Sequence, residues 1–143
     1  MVVILNSYMD KTTDSHDTQL SVACLLLSVA EADEILEKQE IDTIQDILED
    51  FFSIAENDAL KLLVEAQDIM KNATGLFEFG QHLNLVFNHE ERLDFISCVF
   101  EVAYADGDLY YLEHHTVTKI ANILNINRED ILSSKAEIEK YLD

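Results

Sequence analysis

The sequence predicts an all-α protein, a compact bundle of about seven helices with an internal two-fold repeat of helix-turn-helix units. Three observations predict it. The 143 residues include no proline and only three glycines, so the two usual helix breakers are almost missing. Apolar residues recur at spacings of three and four through the long segments, the period of a helix face. The chain also matches itself at an offset of 73 residues, which carries Val29 onto Val102. With 48% hydrophobic and 27% charged residues, a chain of this size can build one domain around a proper core. That domain spans residues 18–143, behind a mixed lead-in at 1–17 to which the pattern assigns no structure.

The first helix, 18–33, is apolar on nearly every side, which marks a central element. Residues 37–52 place Ile41, Ile44, Leu48 and Phe51 on one face, and residues 56–72 do the same with Leu60, Leu63, Val64 and Met70. Gly75 suits the end of that helix. A fourth helix carries Leu76, Phe79, Leu83, Val86 and Phe87 and tolerates Gly80; Phe79 and Phe87 belong to the core. Asn88 with Glu91 has the capping-box spacing and opens a long apolar helix through Ala105, the second central element. Residues 110–124 align Val117, Ile120, Ala121 and Leu124. Asn127 with Asp130 then caps a last helix running to Leu142.

The self-match is dense around two acidic turns. Val29-Ala30-Glu31-Ala32-Asp33-Glu34-Ile35-Leu36 overlays Val102-Ala103-Tyr104-Ala105-Asp106-Gly107-Asp108-Leu109. Glu40 then falls on Glu113, Thr43 on Thr116, Ile44 on Val117 and Ile47 on Ile120; Ile54 meets Ile126 once one extra residue in the first copy is allowed. Both copies spell helix, acidic turn, an inserted leucine, and a second helix with a glutamate in its first turn. Gly107 takes a left-handed conformation cheaply, whereas Glu34 stands in its place in the first copy.

Two readings of the acids stand side by side. In the first they are structural: Asp33 and Asp106 bond local amides, and Glu40 and Glu113 lie near the positive end of the following helix. In the second they hold a divalent cation, the duplication bringing Asp33, Glu37 and Glu40 toward Asp106, Asp108 and Glu113 across the central helices; the sequence does not fix whether the two turns meet. Magnesium, calcium or manganese suits such carboxylates. A true EF-hand is excluded: with Gly107 at the sixth loop position, Val102 and Tyr104 occupy positions that require oxygen donors.

The pattern Ala-Asp-Gly-x-Leu-x-x-x-Glu at Ala105 to Glu113, with its degenerate twin at Ala32 to Glu40, is similar to the signature of TerB-like (tellurite resistance protein B) domains. The resemblance covers residues 18–143. It implies a compact helical fold, cation binding by the acidic residues, links to tellurite resistance and other stress or phage-defence systems, and a module role, since similar domains are fused to membrane-anchored co-chaperones. Glu34 departs from the family's glycine, which weakens the first turn as a site relative to the second.

The formal charge of −20, from 29 acidic against 9 basic residues, disfavours nucleic acid and anionic membranes and favours cations and basic proteins. The opening residues lack the basic region of a signal peptide, and the longest apolar run, Val22 to Ala30, is too short to span a bilayer. A cytoplasmic protein without direct membrane insertion is expected. Cys24 and Cys98 sit in apolar helical context and suit buried free thiols. His114 and His115 are helix neighbours that diverge, and the break at Asn88 separates His82 from His89. With no phosphate loop, no nucleophile in a recognisable motif and no HExxH pair, no enzyme is expected. Two functions remain: a cation-binding, stress-related domain, and a protein-interaction module of scaffold or co-chaperone type in which the turns are structural.

Overall fold

The computed structural model describes residues 11–32, 38–73, 75–105 and 111–140, with the side chains of 11–14 and 111–113 excepted. The described residues form seven helices and no strand: α1 Lys11–Ala30, α2 Lys38–Phe52, α3 Glu56–Asn72, α4 Phe77–Val86, α5 His89–Ala103, α6 Tyr111–Ile123 and α7 Arg128–Lys140. Helix α1 owes its place to its composition. Val22, Ala23, Cys24, Leu25, Leu26, Leu27, Val29 and Ala30 are all fully buried, so every side of this stretch must meet protein. It packs against α2, α3, α4, α5 and α6. Helix α5 is the second hub, burying Phe95, Ile96, Val99, Phe100, Val102 and Ala103 and touching α1, α2, α6 and α7. Phe87 bridges Phe51 and Phe95 in a short aromatic chain.

The helix ends recur at the sequence offset. Helix α1 stops at Ala30 and α5 at Ala103, and α2 starts at Lys38 and α6 at Tyr111. Past the one extra residue, Ser53 and Asn125 both adopt the left-handed conformation, at φ 53° and 59°. Behind them the Ile54 amide donates to Glu49 O at 3.1 Å and the Ile126 amide to Ala121 O at 3.0 Å. This is the same left-handed helix stop written twice.

Several boundaries and faces differ from the sequence pattern. Helix α1 begins at Lys11, inside the segment read as a lead-in. Helix α3 turns Ala59, Leu62, Leu63 and Ala66 inward and leaves Leu60 and Val64 exposed. The alanines decide this rotation, because small residues let α3 approach α1 closely enough for the Cys24 thiol to reach Ala66 O at 3.9 Å. Helix α3 ends on extended Ala73 rather than on Gly75, Phe79 is half-buried at the edge of the core, and Cys98 is half-buried rather than enclosed. The caps follow expectation. The Glu91 amide donates to Asn88 Oδ1 at 2.8 Å, the Asn88 amide donates to Glu91 Oε1 at 2.9 Å, and the Asp130 amide donates to Asn127 Oδ1 at 2.8 Å.

Gly80 is fixed by packing rather than by a turn. A Cβ there would overlap Cγ2 of Ile123 across the α4–α6 contact, and an isoleucine in a helix has little freedom to rotate away. Gly80→Ala should therefore lower stability by about 1–3 kcal/mol despite alanine's better helix propensity. Urea unfolding of Gly80→Ala, Ile123→Ala and the double variant should show the double variant less destabilised than the two single effects combined.

Candidate functional site

The acidic segments 31–37 and 104–110 lie between α1 and α2 and between α5 and α6, and of them the structure describes residues 31–32 and 104–105. Glu31 and Tyr104 close the preceding helices in the same way, their amides donating to Leu27 O at 2.9 Å and to Phe100 O at 3.0 Å. Ala32 and Ala105 repeat the next bond, to Val29 O at 3.3 Å and Val102 O at 3.1 Å. The turns thus follow the negative ends of α1 and α5 and precede the positive ends of α2 and α6, a field that attracts a cation on one side and carboxylates on the other.

Of the six acids that the sequence singles out, Asp33, Glu37, Asp106 and Asp108 lie outside the described residues, and Glu113 is placed by its backbone as the third residue of α6. Glu40 is described in full. It is the third residue of α2, and only 1% of its surface is exposed, which is rare for a carboxylate. Among the described residues, no group of three or more His, Cys, Asp and Glu side chains is arranged to hold a metal. Among the described residues, carboxylates gather at two grooves: Asp50, Glu91, Asp94 and Glu101 between α2 and α5, and Glu31, Glu65 and Asp68 beside α3.

The cysteines and histidines have other partners. Burial pushes the Cys24 thiol up to about 12, helped by the Glu65 charge. Cys98 is likewise pushed up to about 12, by burial first and then by Glu101, Asp94 and Asp50. A thiol pushed up in this way is a poor nucleophile at neutral pH. His82 Nε2 shares a hydrogen bond with Thr18 Oγ1 at 3.0 Å, and His89 lies 3.6 Å from Asp130. His114 and His115 are exposed.

Two grooves flank the hubs. Between α2 and α5, Asp50, Glu91, Asp94 and Glu101 surround a floor of Ile47, Phe51 and Cys98, in an open volume of about 430 Å³. Glu91, Asp94, Cys98 and Glu101 are spaced three, four and three apart, one stripe along α5. The second groove lies beside α3, where Leu60 and Val64 remain exposed.

Residues 19–136 match the family model described as tellurite resistance protein TerB. The chain belongs to the TerB family. No curated protein and no solved structure gave a match. Among the described residues of this TerB-family chain, no helix is long and apolar enough to cross a membrane.

Neither groove was foreseen from the sequence. The α2–α5 groove had a legible half, the acidic stripe on α5, but its partner Asp50 lies on another helix, and only the fold joins them. Asp50 matters electrostatically: the Glu101 carboxyl is raised above its usual value, first by burial and then by the Asp50 charge. A raised carboxyl binds its proton more tightly in the folded state, so this contribution weakens stability as pH rises through the shifted range and is relieved on acidification. Glu101→Gln should accordingly raise the melting temperature at neutral pH. It should also flatten the gain that the unaltered protein shows as pH falls from neutrality toward the ordinary carboxylate range, measured by thermal unfolding across a pH series.

Proposed function

We propose that this TerB-family chain is a non-enzymatic, stress-related cytoplasmic domain that binds divalent cations through its two acidic turns. The observation that carries the reading is Glu40. A carboxylate buried to 1% is rare, and this one stands at the third position of the helix that follows the acidic segment 31–37. Glu113 takes the same position after the other turn. Asp33, Glu37 and Glu40 form the first set of donors, and Asp106, Asp108 and Glu113 the second; hard oxygen donors of this kind suit magnesium, calcium or manganese. Gly107 stands within the second set where Glu34 stands beside the first, and glycine's wider backbone range makes the second the stronger candidate of the two.

A second reading draws on the α2–α5 groove. Four carboxylates around an apolar floor, on a chain of charge −20, favour a basic protein partner. In that case the domain is a scaffold or co-chaperone-type interaction module, and its turns are structural.

Thermal unfolding separates the two. Protein stripped with EDTA should melt higher on adding millimolar calcium, magnesium or manganese, by mass action on the folded state. Potassium chloride at matched ionic strength should not reproduce the rise, and Asp106→Ala/Glu113→Ala should lose it. A double variant that is merely less stable, in a protein indifferent to the ions, would transfer the function to the interaction module.

A further inference from the structure

We propose that the groove between α2 and α5 receives a basic amphipathic helix of a partner protein, an assignment that rests on the interaction-module reading and specifies its partner. The groove is open, about 430 Å³. Each wall is one face of a helix: Ile47, Asp50 and Phe51 on α2, and Glu91, Asp94, Cys98 and Glu101 on α5, recur at spacings of three and four. Two such ridges with a valley between them form the seat that a third helix takes.

The other half of the molecule shows such a seat filled. The 73-residue offset carries α1 onto α5 and the start of α2 onto that of α6, and helix α4 packs against both α1 and α6. His82 of α4 shares its 3.0 Å hydrogen bond with Thr18, which the offset carries onto Glu91. Gly80 of α4 lies against Ile123, which past the extra residue aligns with Phe51. In this filled half Thr18 is 8%, Ser21 7% and Leu25 0% exposed. Their counterparts Glu91 and Asp94 are exposed, and Cys98 is half-buried. The α2–α5 groove therefore has the walls of a helix seat with its outer face open.

Charge sets the chemistry of the occupant. Where the filled half has Thr18, Ser21 and Ser28, this one has Glu91, Asp94 and Glu101; Asp50 faces them from α2, and no Lys or Arg lines the groove. Arg92, the adjacent cation, is engaged at the end of α6, its Nη1 donating to Leu124 O at 3.2 Å. After burial, the charges of Glu101, Asp94 and Asp50 each push the Cys98 thiol up, so their fields meet at the floor. Among the described residues, however, no three such side chains are arranged to hold one ion. Carboxylates strung from Glu91 to Glu101, about 15 Å along α5, are matched instead by lysines or arginines strung along a helix, with apolar side chains between them for Ile47, Phe51 and Cys98. Residues 1–10 of this chain, which precede α1 as α4 precedes α5, carry Asp10 and no Lys or Arg, so the complementary helix belongs to another protein.

The test is an amide NMR titration of the full chain with three capped peptides of equal length. The first carries leucine at i, i+4 and i+7 with arginines flanking that stripe; the second has glutamate for each arginine; the third keeps the arginines and has a central proline, which breaks the helix. The arginine helix should give saturable shifts at Phe51, Asp94, Cys98 and Glu101, and the other two should bind several-fold more weakly. Asp94→Lys, on an exposed position, should weaken binding several-fold, whereas Glu129→Lys, exposed on α7, should leave it unchanged. Should Asp94→Lys misfold, Asp50→Lys, exposed on α2, gives the same readout from the other wall. Equal binding of the proline peptide would overturn the helix while keeping a basic partner; no saturable binding of either arginine peptide would overturn the interaction-module reading as well. Binding that survives the lysine substitutions would overturn the proposal. So would groove shifts that grow with protein concentration in the free chain, or NOE contacts from Phe51 to residues 1–10, since a second copy or the chain's own leading segment would then be the occupant.

Discussion

Everything in this fold depends on burying α1 on all sides. A helix whose residues from Val22 to Ala30 are almost all fully enclosed cannot lie on a surface, because each exposed leucine would forfeit about 1.5–3 kcal/mol of transfer free energy. The other helices are arranged to satisfy that demand. Helices α2, α3 and α4 cover it from one part of the chain, and α5 and α6 from another. Once α5 lies against α1, its own apolar faces recruit α7 and the second half follows. The acidic segments follow directly where these two central helices, α1 and α5, end.

The sequence revealed much of this because the decisive signals are local. The run from Val22 to Ala30 announces a central helix through composition alone. The Asn88–Glu91 box and the Asn127 cap lie three residues from the groups they satisfy. The repeat was legible as letters, and the helix ends and left-handed stops fall at its offsets. What was not legible depends on which neighbour arrives. Helix α3 has apolar residues on more than one side, and the choice between Leu60–Val64 and Ala59–Leu62–Ala66 is made by close approach to α1, which periodicity does not encode. The start of α1 at Lys11 escaped for the opposite reason, since Lys11 to Asp17 is polar and helical only as the continuation of an anchored helix. For the candidate site, the sequence named Glu40 as an acid at a helix start, but its burial follows from the tertiary fold.

The two halves differ at positions that the 73-residue offset aligns. The second has Tyr104 and Gly107 where the first has Glu31 and Glu34, and the Tyr104 hydroxyl donates to Glu139 Oε2 at 2.8 Å. At the far end of α6, Asn84 Nδ2 donates to Ile123 O at 2.7 Å and Arg92 Nη1 to Leu124 O at 3.2 Å. A cation at a helix C-terminus is favourable, and these bonds tie α6 to α4 and α5.

We propose that the acidic segments that follow the two central helices, α1 and α5, take up divalent cations. Hydrogen–deuterium exchange on EDTA-stripped protein, with and without manganese, tests it most directly. The account predicts slowest exchange in α1 and α5 under both conditions, with manganese adding protection across residues 31–40 and 104–113 and leaving α3 and α7 unchanged. Slowest exchange elsewhere, or manganese protection spread over the acidic surface and missing from the turns, would contradict it.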